Sequence, residues 1–226
     1  MTHLVDIFLQ PSKVFVDLKE KPTFWLPLIL VAVASAAMVL MYYMKVDGQW
    51  LIDHTMLAMG NDRSAAELEQ IRKSMPGAQT MGYFGAISAV IGLVIVSLLY
   101  ALYFMLAGKI AGVATSFKHG LSLTCWANMP VLLGTLVAII GVLMMTPQTA
   151  LESLMLANID PLLVQLPIDN PWSTLAKSFS LLNIWVWFLL ALGWRTWTRS
   201  GWLQATIVAI LPSVVIYGVI ALFAIF

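Results

Sequence analysis

Charge is what this sequence has least of. Only 10% of its 226 residues are Asp, Glu, Lys or Arg, against 61% hydrophobic, an imbalance that excludes both a disordered chain and an ordinary soluble domain. The formal net charge is +1, so no surplus of positive charge is present to hold nucleic acid. A single cysteine, Cys125, closes no intrachain disulfide and leaves the redox compartment open. HExxH, paired-cysteine, GxSxG and GxxxxGK[ST] patterns are all missing, which removes the common metal, thiol, serine-nucleophile and phosphate-loop signatures. His119 and Cys125 are six residues apart, which puts them on different faces of a helix and argues against a nucleophile and base. Asp53 and His54 read as a solvated loop end rather than an acid/base couple. No catalytic residue, metal or cofactor is expected, and the chain is not expected to be an enzyme.

What the sequence has in abundance is long uncharged runs. Five of them, at about 24–43, 82–107, 128–146, 179–194 and 202–225, carry no ionisable residue. A helix rising ~1.5 Å per residue needs about 20 apolar residues to cross a ~30 Å hydrocarbon core. The fold class implied is all-α: a polytopic membrane protein with five transmembrane helices, residues 24–226, preceded by an N-terminal segment 1–23. The fourth run is the shortest of the five, with Arg195 and Arg199 snorkelling at its end and Trp194, Trp197 and Trp202 forming an aromatic belt. Ionisable groups inside spans mark ion and proton pathways, and their absence argues against an ion-coupled pump.

Around the spans, local signals define the rest. No cleavable signal peptide is expected, because Asp6, Pro11, Asp17 and Glu20 precede any apolar run. In SKVFVDLKEK, Val14, Phe15 and Leu18 share one helical face opposite Lys13, Asp17, Lys19 and Glu20; with Ser12 as N-cap this is an amphipathic helix expected to lie in the headgroup plane, Phe15 and Leu18 in the acyl boundary. The outer loop 45–80 holds Ser64-Ala-Ala-Glu67, a capping box, and Pro76-Gly77, a stop, which predict a surface helix from about Ala65 to Met75. A second outer loop, 147–178, carries Glu152, Asp160 and Asp169, and LESLMLANI within it suggests a short helix resting on the bilayer. Gly85/Ala89 and Ser88/Gly92 in the second run, and Ala32/Ala36 in the first, supply small faces for neighbouring helices. Residues 109–127 form a polar-to-apolar ramp, interfacial or re-entrant, which leads into Asn128-Met129-Pro130. Pro130 removes a backbone donor and crowds the carbonyl of Trp126, so the helix should break there, with Asn128 satisfying a freed backbone group. Lys118, Asn128, Pro130, Asn183 and Trp185 are the residues expected to organise the helices or contact a partner.

Seven of the twelve Lys and Arg fall on the side of the N-terminus and the 109–127 and 195–201 turns, which places the N-terminus in the cytoplasm and the C-terminus outside. The opening DIFLQPSKVFVDLKEKPTFWLPLIL, the turn ATSFKHGLSLTCWANMPVLLG and the late LLNIWVWFLLALGWRTWT, in that order among five spans, resemble the Yip1 family of integral membrane proteins in its bacterial form. That resemblance implies a five-helix fold, a bacterial inner-membrane location and a non-enzymatic accessory or scaffold role. Some bacterial members sit beside ABC transporters of the macrolide-export type, so exporter components are the implied partners, with lipids and further copies of the chain as other neighbours. The long cytosolic N-terminal domain of the eukaryotic members has no counterpart here, so their binding of small GTPases does not carry over. The alternative to the accessory role is a lipid or small-molecule pathway through the bundle, with the Asn128–Pro130 break beside the Asn183–Trp187 segment.

Overall fold

The computed structural model describes residues 3–59, 64–167 and 170–225; residues 60–63 and Asp169 of the loops 45–80 and 147–178 lie outside them. Every regular element among these residues is helical, and one isolated bridge pairs Asn158 with Ser180. The elements are α1 His3–Leu9, α2 Pro11–Glu20, α3 Trp25–Lys45, α4 Gly48–Ala58, α5 Ala65–Ser74, α6 Ala78–Ile110, α7 Phe117–Ala127, α8 Met129–Met144, α9 Ser173–Ser178, α10 Leu182–Thr198 and α11 Trp202–Ile225, with single short turns of tighter and wider helix at Leu151–Leu154 and Asp160–Val164. Four segments are long and apolar enough to cross a membrane: Trp25–Lys45, Ala78–Ile110, Phe117–Met144 and Trp202–Ile225. The chain is an all-α polytopic membrane protein. The remaining apolar helix, α10, has 17 residues, or ~25 Å at 1.5 Å each.

The chain forms two compact units, the first made of the residues up to Val33, Val90–Leu133 and Leu181–Val219, the second of Ala34–Ala89, Gly134–Ser180 and the residues from Ile220.

In the first unit α10 is the core. All six residues from Leu189 to Trp194 are buried, the pattern of a helix covered on every side rather than along one stripe. Gly193 makes that covering possible, since a Cβ there would meet Leu123 on α7 and Phe15 on α2. The amphipathic character read in α2 is present, but Val14, Phe15 and Leu18 are each 0% exposed and belong to the core around α10 and α7. The acyl boundary is therefore not where Phe15 and Leu18 lie. Protein covers them, and burial of side chains of this size away from water contributes about 1.5–3 kcal/mol each. Hydrogen bonds fix the docking. Trp197 Nε1 donates to the Phe15 carbonyl at 2.7 Å, and Lys19 Nζ donates to the Trp197 carbonyl at 2.8 Å, a cation on a helix C-terminus. Ser12 does not cap α2. Pro11 occupies the first turn, where its missing N–H is no loss, and Gln10 stands at the cap position without a side-chain bond.

The expected aromatic belt is likewise mostly interior. Trp194 and Trp197 are 1% and 3% exposed, and only Trp202, at 45%, is on the surface, with the Arg195 guanidinium 4.8 Å from its ring centre. The 109–127 ramp resolves into α7, whose residues from Gly120 to Ala127 are all buried. Ser116 accepts from the His119 backbone N–H while His119 Nδ1 receives the Ser116 N–H, a capping box that starts the helix. His119 Nε2 lies 3.0 Å from the Lys19 carbonyl, which only accepts, so the proton is on Nε2.

In the second unit the small face of α6 seats α3: a Cβ on Gly82 would meet Tyr43, and one on Gly85 would meet Val39. The loops 45–80 and 147–178 fold together. The Asp47 N–H donates to the Pro147 carbonyl at 2.8 Å, Tyr42 Oη to the Thr149 carbonyl at 3.0 Å, and Lys45 Nζ to the last-turn carbonyls of Val142 and Leu143. Asp47 caps α4 through the Trp50 N–H, Ser64 and Glu67 form the capping box that starts α5, and Arg72 on α5 pairs with Asp53 on α4. Met75 is extended before Pro76, which ends α5.

Candidate functional site

Two prolines, Pro212 and Pro130, stand close in the chain to residues that line a cavity inside the first unit. Pro212 sits within α11 and has no N–H for the Val208 carbonyl; Tyr103 on α6 donates its hydroxyl to that oxygen at 2.8 Å. At Asn128 the path from α7 to α8 breaks, as the Asn-Met-Pro sequence implies, and the Asn128 side-chain amide donates to the Thr124 carbonyl at 2.8 Å. On the other side α7 is tied down by Ser122 and Trp126, which both donate to the Thr23 carbonyl at 2.8 Å.

Next to Pro212 and the Asn128 break lies a cavity of about 250 Å³, lined from α6, α7, α10 and α11 and by Asn128 at the α7–α8 break. Its polar wall consists of hydroxyls, amides and an indole. Trp187 Nε1 donates to Ser213 Oγ at 2.8 Å, Tyr100 Oη and Ser213 Oγ are 2.9 Å apart, and Asn183 Nδ2 donates to Tyr217 Oη at 2.6 Å. Ser97 and Thr124 turn their hydroxyls back onto the carbonyls of Leu93 and Gly120. No acid, base or histidine lines it. Ser213 is at the middle of the 24-residue α11, so these groups stand deep in a spanning helix, where polar side chains are expensive and serve packing or a bound species.

Of the residues singled out in the sequence, the structure brings Asn128 and Asn183 to this one cavity. Pro130 is buried just after the break. Lys118 is exposed in the first turn of α7, and Trp185, 36% exposed, makes a T-shaped ring contact with Phe8 at 5.6 Å between ring centres; neither lines the cavity. Tyr100, Trp187, Ser213 and Tyr217 were not singled out as site residues. Ser213 and Tyr217 carry a signal in the sequence, since with Pro212 they interrupt the apolar stretch that begins at Ile207.

Among the described residues no three His, Cys, Asp or Glu come together. The titratable cluster that does form lies in the second unit. Glu152 Oε1 is 3.1 Å from Lys177 Nζ and 3.2 Å from His54 Nε2, and the His54 ring stacks on Trp50 at 4.9 Å. Burial of the Glu152 carboxyl opposes its ionisation, but the backbone N–H, Lys177 and His54 outweigh it and hold the pKa below the usual carboxylate range.

These features define a multi-spanning, all-helical membrane protein with an uncharged polar cavity and a folded loop cap. The chain belongs to the Yip1 domain family, whose model matches residues 5–223. It is similar to the membrane protein YknW of Bacillus subtilis (strain 168), 24% identical over 228 residues that take in 99% of this chain and 88% of that protein. No solved structure matches it.

Proposed function

We propose that this Yip1-family protein is a non-enzymatic membrane accessory protein that associates with another membrane complex, an ABC-type exporter being the kind of partner the family resemblance favours. The observation that carries the reading is the cap of the second unit. Two long polar loops, instead of merely connecting spans, are joined through Glu152, His54, Lys177 and the Asp47–Pro147 backbone bond into one ordered surface, and ordered polar loops on a bundle without span charges suit recognition better than ion transport. Affinity purification in mild detergent tests it: a reproducible membrane-protein partner should accompany the wild-type chain and be depleted with Glu152→Ala, while recovery of the chain by itself removes the reading's support.

A second reading, a lipid or small-molecule pathway, is favoured by the cavity that Asn128 and Asn183 share. Reconstituted vesicles should then show lipid scrambling or solute flux above empty vesicles, and none above that background overturns it for the molecules tried.

A further inference from the structure

The cavity holds an acceptor with nothing to accept. Because the Thr124 carbonyl can only accept, the Asn128 amide end facing it is nitrogen, and the opposite end, Oδ1, makes no hydrogen bond in the structure. A donor is also to hand. Trp187 supplies one bond to Ser213, and the single bond between Tyr100 and Ser213 uses one of their two hydroxyl hydrogens, which leaves the other for a visitor. An unmet acceptor and a spare donor in the wall of one cavity are the complement of a hydroxyl group, which gives one hydrogen bond and takes another. At mid-span depth an amide oxygen without a donor is costly, so the site gains by being filled.

Charge and access narrow the visitor further. With no Asp, Glu, Lys, Arg or His in its lining, the cavity offers nothing to neutralise a phosphate or an ammonium. Its rim includes Val96 on α6 and Ile216 on α11, 46% and 42% exposed, so it opens on the apolar flank of these two helices, from which lipid rather than bulk solute arrives. At about 250 Å³ it exceeds the ~150 Å³ that accommodates benzene, room for a glycerol-sized head with acyl chains left outside. We propose that the cavity binds the head of a neutral, hydroxyl-bearing lipid, a diacylglycerol or a polyprenol, whose hydroxyl donates to Asn128 Oδ1 and accepts from the Tyr100–Ser213 pair. This deepens the second reading above and rests on its cavity.

The test is equilibrium binding of radiolabelled dioleoylglycerol to the full chain in phosphatidylcholine nanodiscs. Saturable binding above empty nanodiscs is expected, displaced by unlabelled diacylglycerol or by a polyprenol but not by ubiquinone, whose carbonyls only accept; which of the two lipids displaces better identifies the source. Asn128→Leu should weaken binding at least tenfold. Val96→Trp, which fills the rim from an exposed apolar position and removes no hydrogen bond, should do the same even if Asn128→Leu fails to fold, and Lys109→Ala, at an exposed position away from the cavity lining, should change nothing. No saturable binding, which would leave a cavity holding water only, overturns the inference, as does equal binding by wild type and Val96→Trp or equal displacement by ubiquinone. Saturable binding without lipid flux would keep the site and sink the pathway alone.

Discussion

The indole of Trp197 donates to the carbonyl of Phe15 at 2.7 Å, with Trp197 3% and Phe15 0% exposed. One bond thus joins α2 to the end of α10. Trp197→Phe keeps most of the ring volume but removes the indole bond to a carbonyl that still accepts the Lys19 N–H within α2, at a cost of about 0.5–1.5 kcal/mol. Phe15→Ala opens a cavity as well, and about 3–5 kcal/mol is expected. Reversible SDS titration reads both; an effect of Trp197→Phe within experimental scatter would mean the bond is not made in the bilayer.

Close helix contact at Gly120 predicts a ranking. A Cβ there would collide with the backbone of Ala101, whereas one at Gly193 meets the side chains of Leu123 and Phe15, and one at Gly92 meets open space. Gly120→Ala should destabilise most, by roughly 1–3 kcal/mol as overpacking does, because backbone cannot rotate aside. Gly193→Ala should fall between, and Gly92→Ala should be neutral or stabilising by up to ~1 kcal/mol. The reverse order, in the same titration, would place α7 elsewhere.

Glu152 gives the cap a pH dependence. Its pKa is lowered in the fold from an ordinary 4.5, so the stability it adds is present in full above that value and is lost as pH falls through the lowered one. Hydrogen exchange of 48–58 and 151–154, corrected for intrinsic rates, should therefore accelerate on acidification below pH about 4.5, and Glu152→Gln should be faster at neutral pH and insensitive to the same step. An identical acid response in the variant would exclude Glu152 as its origin.

Orientation is open to cysteine labelling. With Cys125 replaced by Ser, Ser64→Cys or Ser153→Cys, both at exposed positions, should react with an impermeant maleimide in intact spheroplasts, and Ser12→Cys or Ser200→Cys only after lysis. Labelling of Ser200→Cys from outside would reverse the assignment drawn from the cation bias. Outside labelling of both Ser153→Cys and Ser200→Cys would show that α10 does not cross.

Much of this architecture was written locally. Uncharged runs gave four long helices to within a few residues, Ser64 with Glu67 gave the start of α5, and Asn128 with Pro130 gave the break after α7, because each depends on neighbours three or four positions away. Asp47 before α4 is the same kind of signal. What covers an apolar face is not local: Val14, Phe15 and Leu18 look alike whether lipid or α10 lies against them. For the same reason Trp194 and Trp197 read as a belt yet lie inside. The candidate cavity was half legible. Asn128 and Asn183 stand out as amides beside apolar runs, while the Tyr100–Ser213–Trp187 network joins positions up to 113 apart in the chain, a pairing that only the packing of α6, α10 and α11 creates.

The accessory role is tested most directly by native mass spectrometry of the complex released from membranes in mild detergent. The account predicts a species heavier than the 24.9 kDa chain by the mass of a distinct membrane protein, in fixed ratio, lost with Glu152→Ala while the variant itself stays folded. A chain released only alone or only with copies of itself would contradict it.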